Sequence, residues 1–327
     1  MKQNKSISII VPVYNEEKTL PYLAERLSQV FATLKNNYAL NAVLVDDGSN
    51  DGSWFVIEKI CSKDSRFSGI RLSRNFGHQA ALSCGYQFAP GDAVVCIDAD
   101  LQDPPELIPE LIRRWEEGNR VVLAVRRKRE GETKFKLLSA KLYYKLISKL
   151  SDNKAPEESG DFRLLDRAAV DAFNKLGESH RYIRGLVGWL GFRSTIVEYD
   201  RSPRQGGRTK YTLTKMIRLA MDGIISFSFL PLRLAYIAAC VLVLPFLLYL
   251  AYNFVVHYFF GVAMVPGWSS LILAVILFGV FNLLMLGILG EYVGRIYTEA
   301  KRRPIFLVEE SCGGDSSTFV SKRDGNV

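Results

Sequence analysis

Through the first 125 positions the apolar runs are short, rich in β-branched residues, and separated by stretches with helical spacing. "SISIIVPVY" is followed by a helical pattern over about Thr19 to Leu34, and "AVLVD" by one over about Trp54 to Ser62. "GIRLS" leads into about Gln79 to Phe88, and "AVVCID" into about Pro105 to Glu117, before "RVVLAV". This alternation predicts an α/β domain: a Rossmann-like, mostly parallel sheet flanked by helices. Ligands of such sheets bind beyond the carboxyl ends of the strands. A polar cluster stands at each of the first four ends, "YNEE", "DDGSNDGS", "RNFGHQ" and "DADLQD", so all four should converge on one cleft.

The pattern then changes. "TKFKLLSAKLYYKLISKL" puts Leu138, Leu142, Leu146 and Leu150 on one i, i+4 row and Lys141, Lys145 and Lys149 on another, a basic amphipathic helix whose apolar row packs either on the sheet or on a bilayer. A second interface helix is predicted over about Leu213 to Phe227. From Leu234 to Gly290 no Asp, Glu, Lys or Arg occurs. Crossing about 30 Å of hydrocarbon takes about 20 apolar residues, so this run predicts a two-helix transmembrane hairpin. The spans fall near Leu234 to Val256 and Ser270 to Leu289, turning at "FFGVAMVPGW". Basic residues flank the pair and the turn carries none, which places both termini in the cytoplasm. The N-terminal apolar run, broken by Pro12 and followed by carboxylates, does not read as a signal peptide. The predicted organisation is a catalytic domain over residues 1–210, a juxtamembrane helix over 211–231, the spans over 232–294, and a tail over 295–327. Beyond Pro304 the tail reads as polar and poorly ordered. Gly287, Gly290 and Gly294 permit close helix approach, and with it a homo-oligomer. Glu291 is placed at the headgroup boundary near Arg295.

Composition adds bounds. With 327 residues, 48% of them hydrophobic, the chain can bury a core of more than 200 residues and still have an appendage. The formal net charge of +8 comes with basic residues beside the apolar segments, which favours anionic lipid over nucleic acid. Cys61, Cys84, Cys96, Cys240 and Cys312 show no C-x-x-C spacing and fit free thiols in a reducing compartment.

The chemistry centres on "AVVCIDADLQDPPEL", where Asp98, Asp100, Asp103 and Glu106 follow a buried strand with no Lys or Arg among them. Asp98 and Asp100 can jointly hold a divalent cation through hard oxygens, with the Gln102 carbonyl as a third ligand. A calcium EF-hand fails, since Asp103 and Pro109 stand where Gly and Glu are needed. Zinc is disfavoured because His78, His180 and His257 lie near no Cys pair or second His. With no glycine-rich phosphate loop, a bound nucleotide would have its phosphates met by metal and basic side chains. Arg204, Arg208 and Lys210 in "SPRQGGRTKYT" are the candidates, the other reading of that loop being contact with anionic lipid.

Taken together, "IIVPVYNEE", "VLVDDGSNDGS", "RLSRNFGHQAAL" and "IDADLQDPPEL" resemble family 2 glycosyltransferases of the GT-A fold. "SGDFRLLDR", "RQGGRTKYT" and "LGEYVGRIYTEAKRRP" narrow the resemblance to the bacterial polyisoprenyl-phosphate branch, which includes bactoprenol glucosyltransferases and is similar to dolichol-phosphate mannose synthases. The resemblance implies that Pro12, Tyr14, Glu16 and Asp46 surround the uracil and ribose of a UDP-sugar, with Asp47 and Ser49 nearby. It implies further that Asp98 lies near ribose and metal, and that Asp100 and Gln102 ligate Mg2+ or Mn2+. Asp161 takes the place of the family's candidate base, Arg163 follows it, and Arg204, Arg208 and Lys210 meet donor or acceptor phosphates. The loop reads Thr209-Lys210-Tyr211 where relatives often have Ser-Lys-Tyr, which keeps the hydroxyl. The absence of a Q-x-x-R-W signature argues for transfer of one sugar. The expected acceptor is polyprenyl phosphate, largely a dianion at cytoplasmic pH and in little need of deprotonation, so Asp161 is expected to orient at least as much as to act as base. Two alternatives remain: the same fold using GDP-mannose or a UDP-amino-arabinose, and a silent scaffold that binds nucleotide-sugar.

Overall fold

A computed structural model describes residues 5–126, 159–179, 181–200 and 267–314, with scattered helical residues between 241 and 259. The predicted helices around Lys141 and Leu213, the basic loop with Arg204, Arg208 and Lys210, and most of the first apolar span lie outside the described residues.

The amino-terminal alternation folds as expected: β1 (Lys5–Val13), α1 (Leu20–Leu34), β2 (Tyr38–Asp46), α2 (Ser53–Lys63), β3 (Phe67–Leu72), α3 (His78–Phe88) and β4 (Ala93–Cys96). A 3-10 turn at Pro105–Leu107 then leads into α4 (Ile108–Glu116) and β5 (Val121–Arg126). β1 pairs in parallel with β2 on one side and β4 on the other, and β2 with β3. From Ile7 to Val13 every β1 residue is buried, as a central strand covered on both faces requires.

Three strands were not predicted, and they change the sheet. β6 (Ser159–Asp166) inserts antiparallel between β4 and β5, pairing Cys96 with Arg163. It is followed by α5 (Arg167–Asn174), whose N-cap Asp166 accepts from the Ala168 amide at 3.0 Å, by α6 (Ile183–Trp189), and by β7 (Ser194–Tyr199), parallel to β5. The eight strands run β7-β5-β6-β4-β1-β2-β3-β8.

The eighth strand corrects the expectation of a poorly ordered tail. β8 (Val308–Gly313) pairs antiparallel with β3 and covers an edge that would otherwise expose unpaired backbone groups. Close approach requires Gly69, since a Cβ there would lie 2.7 Å from the Cys312 sulfur and 2.5 Å from Ile57 Cγ2. Arg71 of β3 holds Glu310 at 2.8 Å. The chain divides into two compact units, and β8 belongs with the sheet although the apolar helix precedes it.

That helix, α7 (Trp268–Ala300), spans 33 residues, longer than the predicted second span. Its stretch Ala274–Ala300 is long and apolar enough to cross a membrane and is not buried by protein. Leu271, Val275, Leu283, Leu286 and Ile296 are all exposed. The rise of about 1.5 Å per residue makes α7 longer than a hydrocarbon core, so its last turns can carry charge. There Arg295 donates to Glu291 at 3.1 Å. A Cβ at Gly287, Gly290 or Gly294 would meet nothing within 4 Å, so no described segment makes the close approach that these glycines permit.

Candidate active site

The turn after β4 carries the acidic cluster, and the structure divides it. Asp103 is fully buried: the Tyr199 hydroxyl donates to its Oδ1, and Arg126 Nη2 lies 3.6 Å away. Glu106 is held by the Arg26 guanidinium, whose Nε donates at 2.9 Å. These two carboxylates pin the turn to β5, β7 and α1. Asp98 and Asp100 stand between these pinned acids and the end of β4. Between Asp100 and Gln102 the chain passes through Leu101 at φ +59°, a left-handed conformation that costs a non-glycine residue on the order of 1–3 kcal/mol. The pinned acids, with Gln102 nearly buried and donating its amide to Asp100 Oδ1 at 3.1 Å, hold the turn in that shape.

Asp98 is the strained member. Its Oδ1 is buried with no hydrogen-bond partner among the described residues, and His78 Nε2 lies 3.7 Å away. Burial, reinforced by the neighbouring charges of Asp161, Asp103 and Asp100 against the opposing pull of His78, pushes its carboxyl up to about 6. A carboxylate in this condition is stabilised by a cation. No cluster of three His, Cys, Asp or Glu side chains able to hold a metal occurs among the described residues. Two carboxylates with the Gln102 carbonyl nonetheless suit Mg2+ or Mn2+, which take one or two protein carboxylates and complete their shells with substrate phosphate and water. The orphaned Asp98 oxygen is the observation that makes the residues fit.

β6 brings Asp161 to the same place because it runs antiparallel to β4. With Cys96 opposite Arg163, the amino end of β6 lies at the carboxyl end of β4, beside Asp98. Asp161 is nearly buried and heavily engaged. Its Oδ1 accepts from Arg163 Nη2 at 2.7 Å and Arg184 Nε at 3.1 Å. Its Oδ2 accepts from Arg184 Nη2 at 2.8 Å and lies 3.3 Å from His78 Nε2. Burial alone would raise this carboxyl; His78, Arg184 and Arg163 outweigh it and hold it well below the usual carboxylate range. Arg163 is itself buried and donates to the Gly160 carbonyl at 3.0 Å. Burial works against the charged form of His78, and Asp161 and Asp98 override it to push the imidazole up.

The first two turns form the other side. Ser49 Oγ accepts from the Asn15 amide and Ser53 Oγ from the Glu16 amide, both at 2.9 Å, which ties the β1 and β2 turns together. Asn15 sits at φ +57° in that junction. Pro12 lies in β1 opposite Val45, Tyr14 is exposed, and Glu16 accepts from the Thr19 hydroxyl at 2.7 Å. Asp46 is fully buried at the end of β2; its Oδ1 accepts from the Ser49 amide at 3.1 Å and Arg71 Nε lies 3.5 Å from its Oδ2. Asp47 is spent on the third turn, accepting from the Phe76 amide at 2.8 Å and the Gly77 amide at 3.0 Å. Burial pushes the carboxyls of both Asp46 and Asp47 up. Gly48, at φ +63°, admits no side chain, since a Cβ would lie 2.5 Å from the Arg74 carbonyl carbon.

Pro12, Tyr14, Glu16, Asp46, Asp47, Ser49, Asp98, Asp100, Gln102, Asp161 and Arg163 thus all lie at the same edge of the sheet or in the turns that leave it. Sequence reasoning missed His78 and Arg184. His78 had a signal, its place in the polar turn after β3. Arg184 had none: the second Arg of "RYIRGLVGW" reads as an ordinary helix surface.

Residues 8–173 match the family model "Glycosyl transferase family 2". The chain belongs to that family. Across 96% of both chains it is 47% identical to a protein named "Uncharacterized glycosyltransferase YkcC" from Bacillus subtilis. It is 39% identical to the SfII prophage-derived bactoprenol glucosyl transferase of Shigella flexneri, covering 94% of this chain and 99% of that one. The prophage bactoprenol glucosyl transferase homolog of Escherichia coli is 38% identical, covering 93% and 98%. Among solved structures, mannosyl-3-phosphoglycerate synthase from Rubrobacter xylanophilus aligns with a TM-score of 0.46 at 19% identity, covering 67% of this chain and 71% of that one. The protein is a family 2 glycosyltransferase with a mixed, GT-A-type sheet flanked by helices.

Proposed function

We propose that this glycosyltransferase moves a single hexose, glucose from UDP-glucose, with inversion onto polyprenyl phosphate at the cytoplasmic membrane face. The observation that carries the reading is the end-to-end similarity to bactoprenol glucosyl transferases, which extends beyond the sheet domain into the uncovered apolar helix. An acceptor with a long isoprenoid tail offers only its phosphate at the bilayer surface, and a membrane helix brings the enzyme to it.

The residues support the chemistry. The junction of Tyr14, Glu16, Asp46 and Ser49 receives the nucleoside, and the pinned turn presents Asp98, Asp100 and Gln102 to the diphosphate. A divalent cation held there would supply Lewis-acid charge to the departing diphosphate. In the transfer an acceptor phosphate oxygen bonds to the sugar's anomeric carbon as that carbon's bond to the donor diphosphate breaks. The acceptor's second pKa near 6 makes it mostly a dianion at neutral pH, so no proton need move. Asp161, held ionised by Arg163, Arg184 and His78, is a poor proton acceptor and serves to position.

The test is incubation of the purified full chain in detergent with undecaprenyl phosphate, Mg2+ or Mn2+, and radiolabelled nucleotide-sugars. Label from UDP-glucose should enter the lipid fraction. Label only from GDP-mannose or a UDP-amino-arabinose would move the reading to another donor, and no lipid label from any donor would overturn it.

A further inference from the structure

Cys61 near the end of α2 and Cys312 in β8, far apart in the chain, meet in the fold. β8 pairs with β3 so that Cys312 lies opposite Gly69, and α2 packs over both strands. Two glycines clear the space between the thiols. A Cβ on Gly69 would lie 2.7 Å from Cys312 Sγ and within 3.3 Å of Ile57 and Trp54, both of α2, so the Cys312 side chain projects onto the face that α2 covers. A Cβ on Gly313 would lie 3.0 Å from Cys61 Cβ and 3.4 Å from its Sγ. Across this gap Cys61 Sγ–H donates a hydrogen bond to Cys312 Sγ. The pair differs from Cys84 and Cys96, which are fully buried and whose thiols burial pushes up. Cys61 is nearly buried and Cys312 is partly exposed. The hydrogen bond from Cys61 pushes the Cys312 thiol down in spite of burial, and the same bond together with burial pushes Cys61 up. A thiol open to solvent and stabilised as thiolate, with a second thiol directly behind it, is the arrangement of an attacking and a resolving cysteine.

We infer that Cys61 and Cys312 form a reversible disulfide that fastens β8 to α2 when the surrounding thiol pool turns oxidising, the oxidant being a low-molecular-weight disulfide. The Cys312 thiolate attacks one sulfur of that disulfide; its S–S bond breaks, a mixed disulfide forms on Cys312 and one small thiolate leaves. Cys61 gives up its proton and attacks Cys312 Sγ, which expels the second small thiolate. The protein thiols lose two electrons and two protons, and the oxidant gains both to become two small thiols. Cytosolic disulfides are mostly transient and redox-responsive, in keeping with two thiols that stand free here. β8 is reached only after the chain has passed through α7, so a bond from β8 to α2 closes the intervening chain into a covalent loop and keeps the β3 edge covered. Both sulfurs lie toward the amino end of β3, away from the strand ends that carry Asp98 and Asp47, so the bond is separate from glycosyl transfer.

The test exposes the purified full chain in detergent to oxidised glutathione, blocks the remaining thiols with N-ethylmaleimide, and reads peptides made without reduction by mass spectrometry. A peptide pair joined through Cys61 and Cys312 should appear and should vanish on addition of dithiothreitol. Thermal unfolding of the oxidised protein should shift upward by about 5 °C or more relative to the reduced one. Cys61→Ala should stop at a glutathione adduct on Cys312, and Cys312→Ser should give no joined peptide; neither should show the upward shift. Cys312→Ser, at the partly exposed position, carries the control if the Cys61 variant does not fold. A glutathione adduct that persists on Cys312 of the wild type with no joined peptide would overturn the proposal. So would thiols that all stay open to N-ethylmaleimide after oxidation, or a joined peptide whose formation leaves the melting temperature unchanged.

Discussion

Replacing Asp161 by Asn removes the negative charge between two guanidiniums and an imidazole while keeping shape. Breaking a buried ion pair by removing one partner costs about 3–5 kcal/mol. Two features of this site pull the value to the lower end. Arg163 keeps its bond to the Gly160 carbonyl at 3.0 Å, and Arg184, with 37% of its side chain exposed, can turn toward water. A loss of about 3 kcal/mol, at about 2–4 °C per kcal/mol for a domain of this size, lowers the melting temperature by about 6–12 °C. Arg184→Ala alone should cost about 1 kcal/mol or less, because its charge is already partly solvated. The double variant should then cost less than the sum, with a coupling on the order of 1 kcal/mol. Thermal unfolding of the full chain in detergent, followed by tryptophan fluorescence, measures all three. Since the folded carboxyl is held below its ordinary value, the stability that Asp161 confers is fully present above pH about 4 and is lost as pH falls through the depressed value. The Asn variant should therefore have a flatter stability profile in that acid window. An Asp161→Asn protein melting within about 2 °C of wild type would refute the view of Asp161 as the buried centre of the cluster.

Gly48→Ala forces a left-handed φ of +63° on a residue whose Cβ would lie 2.5 Å from the Arg74 carbonyl carbon. It should cost about 2 kcal/mol or more, and a melting temperature unchanged within about 1 °C would contradict this. Asp98→Asn and Asp100→Asn should remove the gain in UDP affinity that Mg2+ or Mn2+ provides in titration calorimetry. Asp103→Asn should lower stability and leave that gain in place, and loss of the gain in the Asp103 variant would undo the sorting of the acidic turn. Because Asp98 is pushed up to about 6, it is protonated below that pH and ionised above it, so metal-dependent UDP affinity should rise as pH passes through 6; equal affinity at pH 5 and 7 would contradict it. A chain ending at Arg303 lacks β8, exposes β3 as an edge and frees Arg71 from Glu310, so it should scatter light at lower temperature on heating than the full chain.

The alternation of short β-rich runs with helical periods determined the first five strands, their helices and the cluster of turns at one edge. Those patterns are local: a buried central strand such as Ile7–Val13 must be apolar throughout, and an uncovered helix such as α7 must be apolar all round, whatever else the chain does. The candidate residues were legible for the same reason, since polar groups at strand ends stand out against apolar runs. Tertiary structure decided what local pattern does not encode. Only the antiparallel entry of β6 puts Asp161 beside Asp98, and only the pairing of β8 with β3 gives the polar tail a place, because register between distant segments leaves no mark on either segment alone. The sorting of the acidic turn is of this kind too. Asp103 and Asp98 are the same residue type five positions apart, and they differ because Tyr199 and Arg126 reach Asp103, whereas the charged group nearest to Asp98 is His78 at 3.7 Å. The pairing of Arg184 with Asp161 is of this kind as well, and the physical reason is that the partner of a charge is set by its neighbours in space.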